Sequence, residues 1–282
     1  GVTDVAVLPF AHDELLAQLL DASATIRQRA SGRHLAPMVT FARSTGGCGT
    51  TTVITHVAHA LSQASGGEKR ICVVDLDLQS GDVASFVGQN PHNTVADLLA
   101  AGDRLDGELL RSTVCDSGKG FWLIAAPDAI TPLESVDTDS LLRLLSLVRR
   151  EFDYVLVDLP ADWTSWALSV ALNSNQVLLV TEMSIASLRQ GRKRLDLLAS
   201  VGIDRANLRI VVNKVERRLF KTIGISEVSE ALGTDVLASL SSEGSAISAA
   251  QDQGLLLAEV KHKSRFCGDV ADLAANLVTG GD

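Results

Sequence analysis

The chain has 282 residues, a formal net charge of −9 and 46% hydrophobic residues; it is long enough for one large domain or two small ones and apolar enough for a sizeable core. The acidic balance argues against a globally basic nucleic-acid binder, although a local patch survives such a balance. The scattered cysteines Cys48, Cys72, Cys115 and Cys267 form no C-x-x-C pair, which argues against disulfide or zinc frameworks and fits a reducing cytoplasm, and no run of about 18 apolar residues marks a transmembrane helix.

Gly1 opens abruptly on a strand-like run, with no initiator Met or signal peptide, and the expectation is a truncated chain. Residues 1–10 read as a short strand and turn, 11–24 as an amphipathic helix, and Thr25 to His34 as a polar, basic linker. The organisation is therefore a first piece over 1–24, a linker over 25–36 and a main domain over 37–282. Within that domain apolar, β-branched runs at 38–43, 70–75, 121–125, 154–159, 176–181, 208–213 and 235–240 predict strands. Helical patterns alternate with them at 51–64, 94–101, 106–113, 138–150, 163–173, 184–200, 226–232, 244–252 and 265–279. Runs such as Tyr154-Val155-Leu156-Val157 are apolar on both faces. That predicts an α/β, doubly wound and mostly parallel sheet covered by helices, with any ligand along the C-terminal edge of the strands.

Chemistry concentrates on that edge. Ser44-Thr45-Gly46-Gly47-Cys48-Gly49-Thr50-Thr51-Thr52 follows the first strand of the domain and opens a helix. This is the layout of a phosphate-binding loop, whose backbone N–H groups wrap phosphate oxygens at a helix N-terminus. Gly46, Gly47 and Gly49 permit the required backbone angles. Cys48 and Thr50 supply further loop N–H groups, Thr51 takes the place of a Mg²⁺-binding hydroxyl, and Thr52 that of a hydroxyl near the α-phosphate. The lysine such loops send to the β- and γ-phosphates is due at Thr50 and is missing. An ordinary Gly-rich turn is the competing account. Next, Asp75 and Asp77 end a buried strand; one carboxylate contacts a Mg²⁺ shell and the other, Asp77, orients a water, unless both are plain capping acids. Asp158 ends a third strand, as does an acid that holds a Mg²⁺ water shell. Asn213, before Lys214, suits an adenine edge or a simple turn.

These motifs, in this order, resemble the MinD/ParA class of P-loop ATPases. The class loop reads K-G-G-x-G-K-[ST]-T, and its two lysine positions fall here on Thr45 and Thr50. The resemblance implies that the first of these lysines crosses a dimer interface; Arg43, two residues earlier, is not automatically placed to replace it. The phrase from Val74 to Ala84, with Asp158-Leu159-Pro160 and Ser187-Leu188-Arg189, looks most like the CpaE/TadZ branch, the pilus-assembly ATPases of Tad/Flp secretion systems. Members of that branch carry a receiver-like domain ahead of the ATPase, and residues 1–24 look like its last strand and helix, with Leu8 in place of the receiver lysine. A generic helical extension is the alternative.

The resemblance implies ATP and Mg²⁺ as cofactors and a nucleotide-promoted homodimer with slow or absent hydrolysis. It implies pilus secretion machinery as partners, and an address in the cytoplasm, at a pole or at the inner-membrane surface through those partners. Nucleic acid is not favoured. Asp269 to Val278 is short, alanine-rich and lacks a basic face, so it reads as a helix packed on the sheet and membrane contact as peripheral at most. The basic stretch Arg189 to Arg194 reads as a solvated helix face. A ParA-type DNA-partitioning ATPase and a nucleotide-free scaffold are the alternatives.

Overall fold

The computed structural model of the chain describes residues 35–216 and 224–279. The expected receiver remnant over 1–24 and all but the end of the expected linker lie outside the described residues. Ala36 to Asp282 forms one compact unit.

Its frame is an eight-stranded sheet in the order β3-β4-β2-β5-β1-β6-β7-β8. The strands are β1 (Met38–Arg43), β2 (Ile71–Asp75), β3 (Cys115–Asp116), β4 (Trp122–Ile124), β5 (Tyr154–Asp158), β6 (Gln176–Glu182), β7 (Leu208–Val215) and β8 (Val236–Ser241). Every pairing is parallel except β3 with β4. The central strands read as unbroken Val, Ile and Leu because both faces are covered: Val155 and Val157 of β5 join one core cluster, Tyr154 and Leu156 the other. The parallel register sets Asp75 at the end of β2 against Asp158 at the end of β5. Chemistry-bearing residues thus collect at one edge because every central strand ends there.

The helices are α1 (Thr50–Ala64), α2 (Val83–Phe86), α3 (Val95–Ala100), α4 (Gly107–Thr113), α5 (Thr138–Glu151), α6 (Ser165–Leu172), α7 (Ile185–Ser200), α8 (Ile225–Leu232), α9 (Gly244–Gln251), α10 (Leu257–Val260) and α11 (Arg265–Thr279). Local chemistry sets their ends. Asp137 caps α5 by accepting from the Ser140 N–H, and Arg149 and Arg150 sit in its last turn, where cations favour the helix dipole. Its Leu141, Leu144, Leu145 and Val148 bury one stripe at helical spacing. The two-residue β3 and the four-residue α2 and α10 escape the sequence patterns; each spans only about one period of burial, too short for a repeat to show.

The C-terminal helix α11 buries Phe266, Val270, Leu273 and Ala274 in the same cluster as Val53, Ile54 and Val57 of α1. Its apolar face is therefore engaged within the fold, as the sequence leads one to expect. No helix among the described residues is long and apolar enough to cross a membrane. In α7, Arg192 pairs with Asp196 on the exposed face, while the Arg194 guanidinium donates to the Ala161 carbonyl. The basic stretch is thus part solvated face and part structural tie.

Candidate functional site

The loop between β1 and α1 is held from the β6 and β7 side of β1. The Ser44 N–H donates to the Val180 carbonyl of β6 at 2.9 Å, and the Ser44 hydroxyl meets the Ser187 hydroxyl of α7 at 2.6 Å. Ser187 also meets the Thr45 hydroxyl at 3.3 Å. From β7, the Asn213 amide donates to the Cys48 carbonyl at 2.9 Å, and the Lys214 ammonium bonds the Gly47 carbonyl and Glu182. The loop carbonyls are thereby drawn outward toward β7. Gly47 and Gly49 take the left-handed angles φ +74° and +88° that make this turn.

Among the described residues, no N–H from Gly46 to Thr52 has a protein acceptor. Residue 49 offers no side chain to cap the 15-residue α1. Unpaired N–H groups at a helix start carry the positive end of the macrodipole, and their concave arrangement favours an anion. They open on a cavity of about 410 Å³ that Arg43, Thr45, Thr50, Thr51 and Thr52 line on one side and Ser241 to Gly244, Ile247 and Gln251 on the other. That volume falls within the roughly 300–1,000 Å³ of small-molecule sites.

The hydroxyls differ in their engagements. Thr51 Oγ1 donates to Asp158 Oδ2 at 2.7 Å. Thr52 Oγ1 accepts from Gln251 of α9 at 3.0 Å, so α9 closes over the start of α1. Thr50, where a phosphate lysine is expected, is buried, with its hydroxyl 3.3 Å from Cys48 Sγ.

Beneath the loop lie the strand-end acids. Asp75 is fully buried; its Oδ1 accepts from the Asp77 N–H and its Oδ2 from the Val83 N–H, each at 3.1 Å. Asp77 Oδ1 accepts from the Ser80 N–H. Between Asp77 and Asp158 stands Arg43: Nη1 is 2.9 Å from Asp77 Oδ2, and Nη2 is 3.2 Å from Asp158 Oδ1. Burial, and then the Asp158 charge, pushes the Asp75 carboxyl well above the usual carboxylate range. Burial raises Asp158 as well, while Arg43 and the Thr51 hydroxyl pull it back. Burial works against the Arg43 charge, but Asp158 and then Asp77 outweigh it and hold the guanidinium above its ordinary value.

The expected residues lie near one another: Gly46 to Thr52 form the loop, Asn213 borders the cavity, and Asp77 and Asp158 meet through Arg43 with Asp75 beside them. Asn213, expected at an adenine edge or in a turn, is a strand residue whose amide secures the Cys48 carbonyl. Arg43 is no bystander at the missing lysine but the partner of both acids. Glu182 and Gln251 carry no motif and are found only by contact, while Ser187 and Lys214 lie in motif phrases whose loop-holding contacts appear only in the structure. Arg43 had a signal: it is the last residue of β1, so it faces the ligand edge.

The sequence profile of the AAA domain family AAA_31 matches residues 36–210, more than half of the chain. The septum site-determining protein MinD of Bacillus subtilis is 25% identical over 213 residues, 72% of this chain and 75% of that protein. The crystal structure of a ParA family ATPase from Chlorobium tepidum superposes with a TM-score of 0.77 at 23% identity, covering 85% of this chain and 98% of that one. MinD from Pyrococcus horikoshii, solved with Mg-ADP, gives 0.72 at 20% identity, covering 87% and 98%. At these identities the structural likeness is one of fold. Together with the matched profile, the loop geometry and the parallel sheet, it establishes that this chain belongs to the AAA_31 family of AAA domains and has the MinD/ParA type of P-loop fold.

Proposed function

We propose that the chain binds ATP in the cavity over the β1–α1 loop and acts as a nucleotide-dependent dimer switch that positions a Tad/Flp-type pilus secretion machine, with slow or absent hydrolysis. The observation that carries the nucleotide is the run of unpaired N–H groups from Gly46 to Thr52 at the start of α1. Phosphate oxygens are acceptors of the right charge and size for it. The pilus assignment is supported by the phrase from Val74 to Ala84 and by Ser187-Leu188-Arg189, which resemble that branch; Ser187 is also the hydroxyl that anchors Ser44 and Thr45. The net charge of −9 favours this reading over a DNA-partitioning role.

The oxygens a Mg²⁺ ion would use are already engaged. Both oxygens of Asp75 accept backbone N–H groups, and those of Asp158 accept from Thr51 and Arg43. Among the described residues no three His, Cys, Asp or Glu converge on a metal position. A divalent ion of this kind needs oxygen ligands, and with Arg43 seated between the acids the set does not fit one.

Slow turnover follows from charge. Removing a single preorganised donor from a transition state typically lowers rates by about 10²–10³, and Thr45 and Thr50 replace two ammonium groups. Calorimetric titration with ATP is expected to show binding, and a DNA titration none; absence of any ATP binding would sink the nucleotide reading. Thr50→Lys is expected to tighten ATP binding about tenfold by adding a charge on the cavity wall. An unchanged affinity would show that the added ammonium does not reach the phosphates.

A further inference from the structure

Arg43 pairs with both Asp77 and Asp158, and it lines the same cavity as the loop. Its side chain is only 14% exposed, and its Nε has no acceptor among the described residues. A buried donor without a partner is costly, on the order of 1–3 kcal/mol, so a purely structural ion pair is a poor account of this placement. Asp158 gives one oxygen to Arg43 and the other to Thr51, the second residue of α1. The guanidinium is therefore set beside the unpaired N–H groups that face the phosphates. Lys214, the other cation on the cavity wall, has its ammonium engaged by the Gly47 carbonyl and Glu182.

We propose that Arg43 is the resident cation of the nucleotide site: it neutralises Asp77 and Asp158 and offers its remaining N–H groups to the phosphates, so that nucleotide binding does not depend on a divalent ion. The proposal rests on the nucleotide reading above. A guanidinium suits the task because it holds carboxylates on one side and still presents donors in a fixed fork on the other. The consequence is a site whose cation is part of the chain and cannot be removed by chelation.

The test is calorimetric titration of the full, nucleotide-free chain with ATP, once with excess Mg²⁺ and once with EDTA. Wild type is expected to give dissociation constants within about threefold of each other. Arg43→Ala, checked for folding by its melting curve, is expected to bind ATP at least about a hundredfold more weakly in EDTA and to regain part of that with Mg²⁺. Arg43→Lys is expected to keep its tolerance of EDTA. Wild-type binding that needs Mg²⁺, or binding in EDTA unchanged in Arg43→Ala, overturns the proposal. Wild type that binds no ATP in either buffer fails the nucleotide reading itself, a distinct outcome.

Discussion

ATP binding is expected to fall at least about a hundredfold in Gly49→Val, with an altered melting curve. Gly49 sits at φ +88°, and a Cβ there would stand 2.5 Å from the Asn213 amide nitrogen. Both effects act on the same bond. A β-branched residue resists the left-handed angle, by roughly 1–2 kcal/mol, and its side chain drives Asn213 off the Cys48 carbonyl. That carbonyl then turns back toward the cavity and meets phosphate with the wrong charge. The sequence alone suggests a Cβ intruding on the phosphate path; the structure places the collision behind the loop instead. Calorimetry of Gly49→Val and Gly49→Ala checks this, and full affinity in Gly49→Val would mean the loop does not bind phosphate through its backbone.

Between pH 7 and pH 4 the stability gap between wild type and a non-titrating His56→Gln variant is expected to shrink by about 3 kcal/mol. His56 is buried on α1, with Nδ1 2.8 Å from the Thr52 carbonyl and Nε2 accepting from the Leu257 N–H of α10. Burial is the main reason its pKa falls from 6.5 to about 4. The folded state holds the ring neutral while the unfolded chain takes up a proton below 6.5. The stabilisation is therefore full above 6.5 and disappears as the pH falls through about 4. Asp75 and Asp158, whose carboxyls are raised by burial, act in the opposite direction, which is why the gap and not the total is measured. Urea unfolding across the pH range gives the gap, and the ring proton shift of His56 gives the ionisation. A His56 that titrates near 6.5 would contradict the account.

Most of the architecture was legible because the physics that sets it is local and repetitive. A strand such as β5 buried on both faces declares itself as Tyr154-Val155-Leu156-Val157, and a helix such as α5 declares itself by its Asp137 cap and its leucine stripe. The strand-end acids and the glycine loop were legible for the same reason, since composition and position along one strand determine where they face. What escaped is contact between distant segments. That Arg43 joins Asp158 across 115 positions, or that Asn213 holds Cys48 across 165, depends on strand order, which no window of sequence contains. The short β3, α2 and α10 escaped for want of length.

The position of β1 between β5 and β6 has a consequence for synthesis. The loop leaves the ribosome well before its supports: Asp158, then Val180 and Ser187, then Asn213, and finally Gln251, which reaches Thr52 across 199 positions. A nascent chain that stops short of Asn213 has the glycines without the strand that orients their carbonyls. Such non-local pairing makes folding slow, because the entropy of closing the long segment is lost before the contacts form. The nucleotide therefore meets a site only after the segment from β1 to α9 has been made, and its binding reports on folded domains instead of guiding their assembly.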